Sequence, residues 1–324
     1  MANLKNEAEL KKKIINTAAL LVGVLAVYFI LDAMIKGQII DRYYARVITQ
    51  TCINIILAVS LNLILGFTGQ LTLGHAGFMS VGAYTAAIFT IKLNSPLIVS
   101  LIAGACLAAV FAVLIGYPIL RLKGDYLAIC TLGFGEIIKV IIQNVEALGG
   151  PRGISGIPTR TNFTWVFFVM VIVIIIIRNI LKSSQGRAMI SIREDEIAAE
   201  SMGINATKYK LIAFAIGAFF AGVAGGLYAH YLSYIDPGSF DVFGGMGSLS
   251  GSVLSGGFLT FLPELLRSLS PELKAYRIII YAILLILLMI FRPQGLMGTK
   301  EIPDLFKSFK FKKKGGDKDV VAQG

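Results

Sequence analysis

The feature that most limits how this chain can fold is the length of its stretches without a charged residue. Val47–Ile91 runs for 45 positions without Asp, Glu, Lys or Arg. About 20 helical residues cross the hydrocarbon core of a bilayer, so this stretch is long enough to cross twice. Charged residues are only 15% of the chain, and the mean hydropathy is +0.76. Both values predict an integral membrane protein and exclude an ordinary soluble enzyme.

Nine apolar segments are candidate membrane helices. We expect an all-α fold, a polytopic transmembrane helical bundle with about nine or ten hydrophobic segments, because β-barrel strands would alternate over about ten residues. Nine crossings would place the basic ends of the chain on opposite sides, so either one segment is re-entrant or one is missing. The segments are Ile14–Leu31, Val47–Leu65, Leu71–Ile91, Leu97–Leu120, Tyr126–Ile142, Phe163–Ile177, Leu211–Ile235, Ser248–Leu262 and Ile278–Phe291.

Clusters of basic residues predict the orientation in the membrane. The net charge of +11 is concentrated at residues 5–13, 178–210 and 307–314. Cytoplasmic loops are enriched in Lys and Arg, so all three clusters are expected on the cytoplasmic side. The chain then divides into a transmembrane domain, residues 1–299, and a basic cytoplasmic tail, residues 300–324. The start of the chain is expected to be a retained first helix and not a cleaved signal peptide, since its apolar stretch is long and lacks a cleavage site.

The longest polar stretch inside the chain, residues 183–210, predicts a short amphipathic helix over Glu194–Gly203. Glu194, Asp195 and Glu196 would lie in its first turn, where they suit the helix dipole. Gly203 is expected to end it. Such a helix between two membrane spans is a surface on which another protein can act. A solvated loop with ordinary charge pairs is the alternative.

Two ionisable residues lie inside the apolar segments and therefore need a hydrogen-bond or ion-pair partner, or contact with water. His75 stands among small residues, between Gly74 and Gly77. It either bonds to a neighbouring helix or lies near a pathway. Glu136 has Lys139 three residues later on the same helical face, which predicts either an internal salt bridge or a pathway or gating role.

Glycine is concentrated in two places that predict different structures. Gly222 and Gly226 form a spacing that lets membrane helices pack closely. Residues 244–257 contain six glycines in fourteen positions, beginning with Gly244 and Gly245. This density predicts a broken or re-entrant helix at a pore, where irregular backbone can line a cavity. His230, at the end of a segment, is expected to anchor at the membrane interface.

No arrangement of residues predicts an enzyme. There is no Gly-x-x-x-x-Gly-Lys-Ser/Thr loop for ATP, no nucleophile with a base, and no set of metal ligands. Cys52, Cys106 and Cys130 are expected in the core of the bundle. We expect no cofactor and no metal. Nucleic acid is not expected as a partner, since no basic face is interleaved with aromatics, whereas membrane lipid is.

Several of these residues resemble a known family. Glu196, Ala198, Ala199 and Gly203 resemble the Glu-Ala-Ala…Gly signature of ABC-importer permease subunits, a cytoplasmic loop that contacts ATPase subunits. Further segments between about Leu61 and Leu296 resemble the branched-chain amino-acid permeases, specifically the LivM-type subunit. They are Asn62–Phe78, Thr131–Ile137, Gly149–Pro158 and Phe291–Leu296.

The resemblance implies a multi-pass permease of the cell inner membrane that translocates leucine, isoleucine and valine by ATP-driven alternating access. The implied partners are two ATP-binding subunits, a second related permease forming a heterodimer, and an extracytoplasmic substrate-binding protein. The implied ATPase-coupling loop holds the four signature residues. The expected translocation pathway holds His75, Gly74, Gly77, Glu136, Gly244 and Gly245.

Two other functions stay open at this point. One is an ABC permease for urea or a short amide, and the other is an ion-coupled secondary transporter or channel. The sequence also departs from the family pattern after Phe243, where an apolar segment with an acidic residue has no counterpart.

Overall fold

The computed structural model describes residues 22–122, 124–240 and 257. Helices dominate this part of the chain. They are α1, described over residues 22–36, α2 (Arg42–Thr68), α3 (His75–Leu93), α4 (Leu97–Ile119), α5 (Asp125–Asn144), α6 (Phe163–Lys182), α7 (Ser184–Glu194), α8 (Glu196–Ser201) and α9 (Ala206–Leu232). Short 3-10 turns lie at Glu146–Leu148, Gly150–Arg152 and Pro237–Ser239. Strands β1 (Ile154–Ser155) and β2 (Tyr234–Ile235) pair antiparallel.

The predicted all-α membrane fold is confirmed in the described part of the chain. Five of its helices, α2, α3, α4, α6 and α9, are long and apolar enough to cross a membrane. Each coincides with a predicted segment. α5 coincides with the segment Tyr126–Ile142 and carries Glu136 and Lys139. The boundaries differ by up to five residues, as at α9, which begins at Ala206 and not at Leu211, and α3 begins at His75 and not at Leu71.

Contacts between distant residues show how the helices are directed. At one end, called here the loop end, Arg193 at the end of α7 donates to the carbonyl of Gly66 near the end of α2. At the other end, called the sheet end, Ile154 pairs with Ile235 after α9. Thr90 near the end of α3 also contacts His230 near the end of α9. Helices α3, α5 and α9 therefore run from the loop end to the sheet end, and α2, α4 and α6 run back.

Helices α3, α4 and α9 pack with almost no side chain between their backbones. A Cβ on Gly82 of α3 would lie 2.3 Å from the Cα of Gly222 in α9, and one on Gly225 would lie 2.0 Å from the Met79 carbonyl oxygen. A Cβ on Gly104 of α4 would lie 2.5 Å from the Gly82 carbonyl oxygen. Small residues allow this approach, so the predicted close packing at Gly222 is confirmed.

Predictions for three individual residues are wrong. His230 is not an interface anchor, because it is fully buried and bonded through both ring nitrogens, to Thr90 Oγ1 at 2.7 Å and to the Gly226 carbonyl oxygen at 2.8 Å. Two inward partners hold this ring inside the bundle. Cys106 and Cys130 were expected in the core but are exposed. They lie on the outer faces of α4 and α5.

Several predictions fall outside the described residues. They concern residues 14–21 of the first apolar segment, the glycine-rich stretch with Gly244 and Gly245, and the departure from the family pattern after Phe243. They also concern the two last apolar segments and the tail, which are Ser248–Leu262, Ile278–Phe291 and residues 300–324.

The contact between α3 and α9 predicts a strong effect of Gly82→Ala. The added methyl group would overlap the Gly222 backbone, and overpacking typically costs about 1–3 kcal/mol. We expect a lower midpoint of thermal unfolding for the detergent-purified protein, followed by tryptophan fluorescence. Gly23→Ala is the matched control, because no described atom lies within 4 Å of a Cβ there. Equal midpoints for the two variants would contradict this packing.

Candidate functional site

The segment that joins α2 to α3 turns back into the bundle. Gly69 follows the last residue of α2, and its φ of +72° is a left-handed conformation that glycine readily adopts. His75 then contacts Ser60, which precedes the end of α2 by eight residues, or about 12 Å of helix. The chain from Gly69 to Gly74, called here the connecting segment, is therefore irregular backbone at membrane depth. Such backbone is tolerated where protein or an aqueous cavity surrounds it.

Polar contacts within the protein hold the connecting segment. The backbone N–H of Gln70 donates to the Ile64 carbonyl oxygen at 3.1 Å, and that of Leu73 donates to Thr131 Oγ1 on α5 at 3.1 Å. The Gln70 side chain is buried and donates to the carbonyl oxygen of Lys210 in α9, also at 3.1 Å. The connecting segment thus joins α2, α5 and α9 at one place.

His75 at the start of α3 faces α2. Its Nε2 lies 2.8 Å from Ser60 Oγ, and the side chain is buried. Nδ1 has no hydrogen-bond partner among the described residues. The structure therefore contains the bond to a neighbouring helix that was one of the two expectations. A role for His75 in a pathway stays a prediction.

A groove opens between α3 and α5, and three of the predicted pathway residues line it. Gly74, Gly77 and Glu136 share this groove. The glycines let α5 approach, since a Cβ on Gly74 would lie 2.1 Å from the Thr131 carbonyl oxygen and one on Gly77 would lie 3.0 Å from the Cα of Gly135. The lining is Leu73, Gly74, Ala76, Gly77, Ser80, Leu132, Gly135, Glu136, Lys139, Ile142, Pro237 and Phe240.

Glu136 and Lys139 form a loose pair in this groove. Lys139 Nζ lies 3.9 Å from Glu136 Oε2, and the two side chains are 37% and 63% exposed respectively. Glu136 is the twelfth of the 20 residues of α5, so it lies about 16 Å along a helix about 30 Å long. Charges at such depth are costly in lipid and face protein or water.

The predicted amphipathic helix over Glu194–Gly203 is wrong in one respect, since the structure divides it. α7 ends at Glu194, and Asp195 begins α8 by accepting a hydrogen bond from the Ala198 N–H at 3.0 Å. An aspartate in this capping position is a strong helix start. Gly203 has φ +83° and follows the end of α8 as expected.

The signature residues of this loop are not all accessible to a partner protein. Ala199 is buried with Ile192 and Ala206, whereas Ile197 and Met202 are 74% and 84% exposed. A bulky residue at Ala199 would therefore disrupt the loop itself before it reached a partner. The apolar side chains available to another protein are those of Ile197 and Met202. Of the other signature residues, Ala198 is exposed and Glu196 pairs with Lys210.

Three residues that tie the loop to the bundle were not singled out from the sequence. Arg193 Nη1 donates to the Gly66 carbonyl oxygen at 2.7 Å, and its side chain packs on Gly69. Lys210 Nζ lies 2.8 Å from Glu196 Oε2, and Gln70 bonds to the Lys210 backbone. These contacts join residues more than a hundred positions apart or sit inside charged runs, and a single sequence carries no signal for such pairs.

The described residues contain no group of three or more His, Cys, Asp or Glu side chains that could hold a metal ion. The functional features of this part of the chain are therefore the groove, the connecting segment and the α7–α8 loop.

Comparisons with known proteins agree with this arrangement. The chain is 34% identical over 304 residues to the high-affinity branched-chain amino acid transport system permease protein LivM of Salmonella typhimurium, covering 80% of this chain and 71% of the relative. It is 35% identical over 264 residues to LivM of Escherichia coli, covering 67% and 61% respectively. The permease protein LivH of Escherichia coli is 32% identical over 162 residues, 46% of this chain and 50% of LivH. No solved structure matches the chain.

A family model described as the permease component of branched-chain amino acid transport systems matches residues 43–289. This match includes every described helix from α2 to α9 except the first residue of α2. The chain therefore belongs to the branched-chain amino acid transport system permease component family, whose members are integral membrane transport proteins and not enzymes.

Proposed function

We propose that this chain is the membrane-spanning permease subunit of an ABC importer that moves leucine, isoleucine and valine across the cell inner membrane by ATP-driven alternating access. The observation that supports it best is the position of the α7–α8 loop. The loop exposes apolar side chains at one end of the bundle and is bonded to the end of α2, next to the connecting segment that borders the groove.

The exposed side of α8 suits a protein partner. Ile197 and Met202 project from a loop that is otherwise rich in charge, and exposed apolar side chains on such a surface favour protein contact. The basic residues of the loop end favour a cytoplasmic location, where ATP is available. An ATP-binding subunit that receives this short helix in a cleft is the partner we assign to it.

A chain of contacts leads from this loop to the groove. Arg193 holds the end of α7 to α2, and Gln70 holds the connecting segment to α9. Leu73 and Gly74, at the end of the same segment, pack against Thr131 and line the groove. Displacement of the loop would therefore shift the segment that borders the groove at its loop end. In alternating access this end would open toward the cytoplasm.

The outer face of α5 suits the second permease subunit. Tyr126, Ile129 and Ile137 are exposed there, beside the groove that holds Glu136. A carboxylate in contact with lipid would be costly, and a protein surface beside the groove would keep Glu136 away from lipid. A related permease, similar to LivH, is the partner we assign to this face. The binding protein would then deliver substrate at the sheet end.

Uptake by the reconstituted transporter tests the proposed function. Proteoliposomes would contain this chain, a LivH-like permease and two ATP-binding subunits, with the matching binding protein outside. We expect ATP-dependent uptake of tritiated leucine that excess isoleucine and valine inhibit and excess urea does not. Uptake of urea, or leucine uptake driven by an ion gradient without ATP, would replace this function with one of the alternatives.

The exposed position of Ile197 predicts that Ile197→Asp weakens ATPase binding and leaves the permease folded. Placing a charge in the centre of an apolar contact is expected to reduce affinity by at least about tenfold. Co-purification of the ATP-binding subunits and stimulated ATP hydrolysis would measure this effect. Thr207→Asp adds the same charge at an exposed site on the same end of the molecule and serves as control. Normal assembly of the Ile197→Asp protein would remove α8 from the interface.

The bond between Arg193 and Gly66 predicts an uncoupled transporter when it is removed. A hydrogen bond to a charged group typically contributes about 1.5–3 kcal/mol, so Arg193→Met should lower leucine uptake per ATP hydrolysed by about tenfold. Assembly with the ATP-binding subunits should persist. Arg187→Met is the matched control on α7, because Arg187 donates to the carbonyl of Lys182, five residues earlier at the end of α6, and not to α2. An unchanged ratio in the Arg193→Met protein would exclude this route.

A further inference from the structure

We propose that Glu136 and Lys139 bind the charged head of the transported amino acid, with Glu136 receiving its α-ammonium group and Lys139 its α-carboxylate. This site rests on the proposed function, since it gives the transported substrate a specific place in the permease. It lies in the groove between α3 and α5.

The first argument is the exposure of a charged pair midway along α5, a helix that packs against the membrane helix α3. Glu136 lies about halfway along α5, and its side chain is 63% exposed. A charge that serves only the fold would be expected to turn inward to a partner within the bundle. Here both charges face an open groove, and intramembrane ionisable residues in such positions typically mark a substrate or ion pathway.

The second argument is the geometry of the pair. The two residues are one helical turn apart on one face, and Lys139 Nζ lies 3.9 Å from Glu136 Oε2. This separation is longer than a charge-assisted hydrogen bond, which is about 2.7–2.9 Å. Each side chain therefore keeps hydrogen-bonding capacity. An α-amino acid presents one ammonium and one carboxylate on a single carbon, so it can place each of its charges beside the opposite one.

The third argument is the rest of the groove. Leu73, Leu132, Ile142 and Phe240 supply apolar walls, and glycines such as Gly135 leave width beside the pair. Sites for small molecules are generally mostly apolar, with a few placed polar groups that fix orientation. The walls suit an aliphatic side chain, whereas the charged pair suits the head group that leucine, isoleucine and valine share.

The pair can also release its ligand. An exposed ion pair contributes little to stability in the absence of substrate, so neither side chain is needed for folding. When a ligand binds, its charged groups replace the contact between Glu136 and Lys139, and when it leaves, that contact forms again. This property fits a pathway through which substrate passes and does not remain.

Binding of tritiated leucine to the assembled transporter in nanodiscs, without the binding protein, tests this site. Two competitors separate the charges, since isocaproate lacks the ammonium group and leucinamide lacks the carboxylate. Glu136→Gln should weaken leucine binding by about tenfold or more and abolish the preference for leucine over isocaproate. Lys139→Met should do the same for the preference over leucinamide. The Glu136→Gln protein should still prefer leucine over leucinamide, and the Lys139→Met protein should still prefer leucine over isocaproate.

Two control variants remove a charge of the same kind outside the groove. Glu146→Gln changes an exposed carboxylate beyond the end of α5, and Lys36→Met breaks the helical ion pair of Lys36 with Asp32 in α1. Neither residue lines the groove as described. We expect leucine binding and both preferences to stay as in the unmodified protein.

The outcomes that overturn the site differ from those that overturn the proposed function. If the unmodified transporter takes up no leucine with ATP and the binding protein, the proposed function is wrong. If uptake is normal but leucine does not bind the transporter alone, or both preferences survive in both variants, the site is wrong. An equal loss for leucine and both analogues would assign the pair a structural role and would also overturn the site.

Discussion

Backbone polar groups at membrane depth must find hydrogen-bond partners inside the protein. The rest of the bundle depends on how the connecting segment Gly69–Gly74 meets this requirement. A continuous helix would satisfy these groups automatically, but this segment is irregular. Its Gln70 and Leu73 N–H groups are bonded to α2 and α5, and the Gln70 side chain reaches α9. Three helices are therefore fixed relative to one another through one short stretch of chain.

The same constraint explains why the groove and the loop are linked. A segment that must bond to its surroundings transmits displacement to them. This one lies against Arg193 of α7 through Gly69 and lines the groove through Gly74. The glycine contacts of α3 with α4 and α9 supply a rigid frame on the other side. The proposed head-group site lies on another side of α3, in the groove that it shares with α5.

Sequence patterns predicted the secondary structure better than they predicted which side chain faces where. The helix through Glu136 was expected, and Lys139 was expected on its face, because one helical turn separates them. The capping of α8 by Asp195 was missed, since three successive acids offered no unique start. Ala199 belongs to the loop expected to contact ATPase subunits, yet it is buried against Ile192 and Ala206 while Ile197 is exposed. A short helix lacks enough turns for its apolar pattern to show which side is covered.

The sequence alone determined that this chain is a helical membrane protein, because runs as long as Val47–Ile91 without a charge suit only segments that satisfy their own backbone in lipid. Its motifs also indicated the permease family, because they preserve the order of local residues. Only the tertiary structure decided that His75 turns to Ser60, that Gly74 and Gly77 meet Glu136, and that Arg193 reaches Gly66. These contacts join residues far apart in the chain, and their geometry depends on how whole helices pack, which no local pattern encodes.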